Sequence, residues 1–238
     1  MDYSFTLGIV MNFGKLVKWI PTFIDGTVLT IILSLTTVFF GSIIGLFATL
    51  LQQSPKKALR GLANIYTQVI RGTPLLVQLY IWLYGFPMIG LSIPALPFLG
   101  ETFGSRDFLT AVVALSINSG AYICELLRGG LESIDKGQME AGRSLGLSRR
   151  QTMNAVIVPQ AIRVILPGLG NEFITMIKES SIVSVVGIFD VMYTSNIIKA
   201  STYSIFEPLI VISVIYFVLT FILTALMKRL EKRLSVYD

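Results

Sequence analysis

The feature that most constrains this chain is a long apolar segment, residues 26–55, that contains no charged side chain. Residues 72–100, 108–124 and 208–227 form further segments of the same kind. About 20 mostly apolar residues are enough for a helix to cross the hydrocarbon core of a bilayer. Only 14% of the residues are charged, whereas ordinary soluble domains carry about 25%. We therefore predict an all-α integral membrane protein, with residues 1–238 forming a single transmembrane domain.

Five membrane-spanning helices account for these segments. They are predicted at roughly residues 27–51, 62–88, 108–127, 166–187 and 208–227. The fourth of them carries three charged side chains, which is unusual at membrane depth. Residues 1–22 place Trp19 beside two lysines and several apolar residues, and this pattern predicts an interfacial N-terminal helix anchored by the tryptophan.

The basic residues are distributed unevenly between the two sides of the predicted membrane domain. Segments 52–60, 128–163 and 228–233 contain thirteen Lys and Arg residues together, and the segments on the opposite side contain four. The positive-inside rule therefore places the C-terminus in the cytoplasm, and an odd number of spans places the N-terminus outside. Because the basic residues lie in short segments between apolar runs, the net charge of +5 does not indicate nucleic-acid binding.

The cytoplasmic segment 130–160 is too long to be a simple turn between two spans. Ser148 is a suitable N-cap for a helix over the following residues, and Gly142 and Gly146 can end or bend the turn that precedes it. We predict two short helices joined near Gly146, which together form a knob that projects into the cytoplasm. A projecting helical knob is suited to entering a groove in a partner protein.

The same segment carries a recognisable pattern of residues. It contains Glu140-Ala141-Gly142, then Gly146, then Val156-Ile157-Val158-Pro159. This spacing matches the EAA motif of ABC importer permeases, with Gly142 in place of the second alanine. Together with RGTPLLVQL at 71–79 and the segment 158–187, the chain resembles the permease subunits of the polar amino acid uptake family, the histidine, glutamine and arginine permeases.

This resemblance implies a type I ABC importer fold and several partners. These are a second permease chain, two ATP-binding cassette subunits, an extracytoplasmic amino-acid-binding protein and the lipid of a bacterial cell membrane. A homodimer of permeases is preferred to a related heterodimer. The sequence contains no G-x-x-x-x-G-K-[ST] phosphate loop, so ATP and Mg²⁺ are expected on the cassette subunit and no cofactor, metal or enzyme activity on this chain. The implied ATPase-coupling residues are Glu140, Ala141, Gly142, Ser144, Leu145, Gly146 and Leu147.

Polar side chains within the spans are candidates for a substrate site, because polar groups at membrane depth tend to face a cavity or each other. Helical spacing places polar residues of the fourth span on two adjacent stripes and those of the third span on one face. The candidate substrate-binding residues are Thr73, Gln78, Asn118, Tyr122, Glu125, Asn171, Glu172, Thr175, Lys178 and Glu179. Alternative interpretations are a structural Lys178–Glu179 pair, and Glu125 as a marker of the cytoplasmic end of its span.

Pro74 interrupts the second span. A proline has no N–H for the helical ladder, and the residue before it disfavours the α conformation. We therefore expect the helix to break or kink near residues 71–74 and to restart at Pro74, with free N–H groups suited to a substrate carboxylate. The alternative is a proline kink that serves packing only.

Three classes of function compete for this sequence. An ABC permease explains the EAA-type segment, and the acidic residues of the spans favour a cationic amino acid such as arginine, lysine or histidine, with glutamine or glutamate as the alternative. A secondary ion-coupled transporter gives the cytoplasmic knob no role. An intramembrane enzyme is disfavoured because the chain has no histidine and one cysteine, Cys124, which leaves few nucleophile–base pairs or metal sites.

Overall fold

The computed structural model describes residues 12–234, and this part of the chain is helical with no β-strand. In chain order the α-helices are α1 (Ile20–Gln52), α2 (Lys57–Arg71), α3 (Leu75–Tyr80), α4 (Phe86–Met88), α5 (Arg106–Glu132), α6 (Lys136–Ser144), α7 (Arg149–Thr152), α8 (Val158–Glu179), α9 (Thr194–Thr202) and α10 (Phe206–Leu234). Two π-helical turns, Ile81–Gly85 and Met153–Ile157, join α3 to α4 and α7 to α8. Three 3₁₀ segments lie at Phe13–Trp19, Pro97–Leu99 and Ser180–Val186.

The apolar helices confirm the predicted all-α membrane fold. Four helical runs are long and apolar enough to cross a membrane, at Phe13–Gln52, Arg106–Glu132, Arg149–Val186 and Phe206–Arg233, and a shorter apolar helix runs over Leu75–Met88. The predicted interfacial helix over 1–22 lies partly outside the described residues. Within them, Phe13–Trp19 continues directly into α1, which begins at Ile20 because Pro21 is well suited to the first turn of a helix.

Two predicted boundaries are wrong. The second span, predicted over 62–88, consists of α2 and a separate helix that begins at Leu75. The fourth span begins at Arg149 rather than near 166, because a capping box between Ser148 and Gln151 starts a helical run that continues to Val186. The predicted knob therefore contains one free-standing short helix, α6, and its second helix is the beginning of a transmembrane run.

The packing of α1 against α5 is the most extensive helix pair in the fold. Gly41 and Gly45 lie on the α1 face that meets α5, and a Cβ atom at Gly45 would come within 2.9 Å of the Gly120 carbonyl oxygen and of Ile123. Small residues of this kind let two membrane helices approach closely. The Gly41-x-x-x-Gly45 pattern thus serves contact within the chain.

Large apolar side chains that remain exposed are most numerous on α1 and α10, where they include Phe39, Phe47, Phe217 and Phe221. The core between α1, α3, α5 and the end of α8 is instead closed by fully buried Leu33, Leu79, Leu115 and Val183. Exposed apolar faces of this size suit lipid tails or another membrane chain rather than water.

Candidate functional site

A cavity with a volume of about 610 Å³ opens between three of the spans. The break between α2 and α3 forms one wall, the middle of α5 a second, and the end of α8 with its following 3₁₀ segment a third. Its lining residues are Thr73, Pro74, Leu75, Asn118, Tyr122, Glu179, Ser181, Ile182, Ser184, Val185 and Met192. A concave site of this size accommodates a small organic ligand such as an amino acid.

The break beside this cavity lies where the sequence predicted it. Helix α2 ends at Arg71, and Pro74, with φ −63° and ψ 136°, stands at the N-cap of α3 rather than at its first helical position. The carbonyl oxygen of Ile70 has no partner in the ladder, because the residue four positions later is Pro74. The side chain of Gln78 supplies the missing donor: its Nε2 atom lies 2.7 Å from the Ile70 oxygen and 2.8 Å from the hydroxyl of Thr73.

Gln78 is therefore a brace for the break rather than a lining residue of the cavity. Its Oε1 atom accepts a hydrogen bond of 3.0 Å from Nδ2 of Asn118 on α5, and the side chain is buried. This bond ties the break to the α5 wall, so that Thr73 and Asn118 face the cavity from fixed positions. The sequence predicts Gln78 as a substrate-binding residue. In the structure its side chain instead pairs with the Ile70 carbonyl, which has no backbone partner.

An ion-pair network begins directly beside the cavity. The guanidinium of Arg71 lies 5.5 Å from the centre of the Tyr122 ring, and its Nη1 atom is 3.4 Å from a carboxylate oxygen of Glu125. The same oxygen accepts from Arg128 at 2.8 Å, and Arg128 also donates to Glu132 at 2.6 Å. Glu125 is thus held between two arginines and is absent from the cavity lining, whereas the ring of Tyr122 belongs to both the network and the cavity.

The candidate residues of α8 separate into two groups. Glu179 lines the cavity, whereas Glu172 accepts a 2.7 Å hydrogen bond from the hydroxyl of Ser119 at the contact with α5. The remaining candidates on this helix, Asn171, Thr175 and Lys178, are not among the lining residues. Glu172 and Glu179 lie on the same predicted stripe of the helix. The structure therefore divides this stripe between a contact with α5 and the cavity.

Sequence reasoning missed the contribution of the 3₁₀ segment that follows α8. Ser181 and Ser184 line the cavity, three residues apart. A 3₁₀ helix has three residues per turn, so this spacing places both hydroxyls on one side. The α-helical spacing of polar residues on α8 extends only to Glu179. Residues 180–183 are small or β-branched and carry no charge. This run was the sequence feature that could have indicated a 3₁₀ helix.

The EAA-type segment forms a short helix, α6, directly after the C-terminal end of α5. Asp135 caps α6, and Gly146, with φ +83°, ends the following turn in the left-handed region that glycine tolerates. Leu145 is 83% exposed at this turn, which is unusual for so large an apolar residue. Gly142 packs against Thr152 so closely that a Cβ atom would overlap the threonine methyl group. The glycine substitution in the motif thus matches a close helix–helix approach.

A buried carboxyl, that of Asp190, lies in the connector between Val186 and Phe206. Asp190 is fully buried, accepts from the backbone N–H of Tyr193 at 2.8 Å, and lies 3.4 Å from the hydroxyl of Tyr216. Burial raises the pKa of Asp190 to about 7. The adjacent Val191 N–H donates to the hydroxyl of Thr30, so this connector is fastened to both α1 and α10.

Comparison with known proteins agrees with this architecture. Residues 41–236 match the family model of the binding-protein-dependent transport system inner membrane component. The chain belongs to this family. The permease is 39% identical over 208 residues to the arginine transport system permease protein ArtQ of Bacillus subtilis (strain 168), covering 87% of this chain and 90% of the relative. It is 37% identical over 210 residues to a putative glutamine transport system permease protein GlnP of Rickettsia bellii (strain RML369-C), covering 87% and 91%.

Solved structures show the same fold. The crystal structure of an amino acid ABC transporter with histidines superposes with a TM-score of 0.87 at 44% identity, covering 94% of this chain and 100% of that chain. The inward-facing MetNI methionine ABC transporter superposes with a TM-score of 0.72 at 17% identity, covering 92% and 98%, and this likeness concerns the fold alone. The permease is therefore the membrane subunit of an amino acid ABC importer of the bacterial inner membrane, with the type I fold that the sequence predicted. Its family works with ATPase and binding-protein partners.

Proposed function

We propose that this permease carries a cationic amino acid, such as arginine, lysine or histidine. The observation behind the proposal is that Glu179 is the one charged side chain among the described residues that line the 610 Å³ cavity. A carboxylate in a partly apolar cavity favours a ligand with a positive charge. The arginine permease ArtQ and the transporter crystallised with histidines are consistent with this substrate class.

The α-carboxylate of the same substrate would meet the beginning of α3. The first intrahelical hydrogen bond there runs from the Gln78 N–H to the Pro74 carbonyl, so the N–H groups of residues 75–77 precede the ladder. Leu75 lines the cavity at this point. Free N–H groups at the start of a helix stabilise a carboxylate. In this arrangement the carboxylate of Glu179 accepts from the cationic side chain of the substrate. The N–H groups near Leu75 donate to its α-carboxylate.

We further propose that two copies of this chain form the translocation path and that ATP and Mg²⁺ bind to separate cassette subunits. The exposed helix α6 and the side chain of Leu145 supply the docking element for the ATPase, with Glu140, Ala141, Gly142, Ser144, Gly146 and Leu147 around it. Closure of the ATPases would move α6. Because α7 continues without interruption into α8, that movement would reach the wall of the cavity that carries Glu179. A related heterodimer is the alternative assembly.

The test is ATP-dependent uptake of labelled arginine into proteoliposomes that contain the permease, its ATPase and its binding protein. We expect unlabelled lysine and histidine to compete, and the Glu179→Gln variant to raise the KM for arginine by roughly 10- to 100-fold, because a charge-assisted contact contributes about 1.5–3 kcal/mol. The Glu231→Gln variant, at the exposed end of α10, is the matched control and should transport normally.

Other outcomes would point elsewhere. Competition mainly by glutamine or glutamate, with Glu179→Gln unchanged, would retain the importer and reject the cationic substrate; the glutamine permeases of Rickettsia make this the second candidate. Uptake that follows an ion gradient without ATP would instead indicate a secondary transporter.

A further inference from the structure

Helix α2 has three chemically distinct faces. At about 100° per residue, Leu59, Ala63, Tyr66, Thr67 and Ile70 share the face that packs into the fold, where Tyr66 donates a 2.7 Å hydrogen bond to the Ile117 carbonyl of α5. The rest of the helix surface is exposed and divides into two parts. One part is polar and the other is apolar.

The polar exposed face consists of Lys57, Arg60, Asn64, Gln68 and Arg71, which fall within an arc of about 80°. We call these five residues the α2 polar face. The apolar exposed face consists of Leu62, Ile65 and Val69, which are 63%, 60% and 54% exposed. Such clean segregation on one short helix indicates that its two exposed faces meet different surroundings.

The apolar exposed face shows the depth at which α2 lies. Leu62, Ile65 and Val69 alternate along the helix with Asn64 and Gln68, so the two faces share the same levels of the membrane. A helix surrounded by water would not expose three large apolar residues in a row. If α2 lies at hydrocarbon depth, lipid or protein covers the apolar face, and the polar face requires water or polar partners.

Each end of the α2 polar face lies near a space that the structure shows. Near the N-terminal end of α2, Arg60 shares a cleft of about 420 Å³ with Arg128, Glu132 and Arg149. Arg149 is the first residue of α7, which follows the EAA-type segment. At the C-terminal end of α2, Arg71 lies over the ring of Tyr122, which lines the substrate cavity.

Arg60 and Arg71 are separated by about 16 Å of helix, at 1.5 Å per residue. The α5 charges Glu125, Arg128 and Glu132 follow the same route, and Glu125 is the ion-pair partner of Arg71.

We propose that the α2 polar face, together with Glu125, Arg128 and Glu132 of α5, lines the inner part of the translocation path, from the substrate cavity to the cytoplasmic cleft. The Arg71–Glu125 ion pair stands at the cavity end of this path. The α5 charges alternate in sign and Glu125 pairs with Arg71, whereas Lys57 and Arg60 add positive charge at the other end of the path. The proposal deepens the proposed function, on which it rests for the identity of the solute that passes.

Single-cysteine labelling tests the path by a rate of thiol modification that does not depend on which solute is transported. The one native cysteine, Cys124, is buried, and Cys124→Ala provides a background without thiols. Arg60→Cys, Asn64→Cys and Gln68→Cys probe the polar face, and Leu62→Cys, Ile65→Cys and Val69→Cys are matched controls of similar exposure on the same helix. The full transporter in inside-out vesicles is treated with a membrane-impermeant, cationic methanethiosulfonate, with and without ATP and vanadate. Reaction after denaturation gives the total thiol.

We expect the three polar-face cysteines to react about tenfold or more faster than the three controls in at least one condition, because the reactive thiolate forms in water and not in an apolar contact. The bulky adduct on Gln68→Cys should abolish uptake, and the adduct on Val69→Cys should not. Equal rates on the two faces would overturn the proposal. So would unreactive polar-face cysteines that instead form disulfides between two permease chains, since α2 would then lie in an interface.

These results remain distinct from the test of the proposed function. Labelling of the polar face would stand even if competition showed that the solute is glutamine. Conversely, a confirmed cationic substrate with an unreactive polar face would reject the path alone.

Discussion

The brace at the break between α2 and α3 provides the most quantitative prediction. Replacing Gln78 by leucine keeps a similar volume and removes both the donor to the Ile70 carbonyl and the acceptor for Asn118. The Gln78 side chain is only 7% exposed, so water does not replace these partners readily. The Gln78→Leu variant therefore leaves at least two polar groups without partners at membrane depth.

The expected loss follows from the cost of each stranded group. A buried polar group that loses its partner costs about 1–3 kcal/mol, so two such groups predict that the free energy of unfolding falls by roughly 2–6 kcal/mol. Typical domains have a total stability of about 5–15 kcal/mol, and the loss should be obvious. Substrate affinity should fall as well, because Thr73 and Asn118 lose the bonds that hold them toward the cavity.

Unfolding of the purified permease in mixed micelles, followed by tryptophan fluorescence, measures this loss. Gln68→Leu is the control, because this glutamine is exposed on the adjacent helix and its replacement should change stability by less than about 0.5 kcal/mol. A double-mutant cycle with Asn118→Leu isolates the bond between α3 and α5. If Gln78→Leu unfolds within about 0.5 kcal/mol of the native chain, the break does not depend on this brace and the reasoning is wrong.

Three further predictions concern close packing and protonation. Gly142→Ala should reduce the free energy of unfolding by about 1–3 kcal/mol, because its methyl group overlaps Thr152; Thr152→Ala should partly rescue it, which thermal unfolding of both variants will show. Gly45→Leu should reduce the yield of folded permease on size-exclusion chromatography, since a Cβ atom there already lies 2.9 Å from the Gly120 carbonyl oxygen. The pKa of Asp190 is raised from 3.8 to about 7, so the folded state retains its proton more strongly than the unfolded state. The stabilisation is complete below pH 4 and disappears as the pH rises through 7; the melting temperature should fall over this interval in the native chain and change much less in Asp190→Asn.

The sequence predicted the features that depend on local chemistry. Uncharged segments long enough to span a bilayer indicated the fold class, because lipid offers no partner for an unbonded backbone. Pro74 predicted the break, since its missing N–H is a property of the residue itself. Ser148 and Gly146 predicted the helix start and the turn of the EAA-type segment, and the structure confirms both.

The spacing of residues along the helices did not indicate which of several partners a polar side chain contacts. Gln78 and Glu172 both appeared as polar residues available to a substrate, and the structure uses them at the break and against Ser119. Glu125 likewise pairs with two arginines from different helices. Helical spacing shows which residues share a face, but it does not show which helix that face meets.

Hydropathy, charge asymmetry and motif spacing are properties of the chain before it folds, and they were enough to predict the class of protein. The partner of each polar side chain depends on how the helices pack. The cavity exists because residues as distant as Thr73, Asn118 and Glu179 come together across three spans, and α2 has two different exposed faces because α1 and α5 cover the third. Burial and pairing are relations between helices, and their free energies arise only when the helices are assembled.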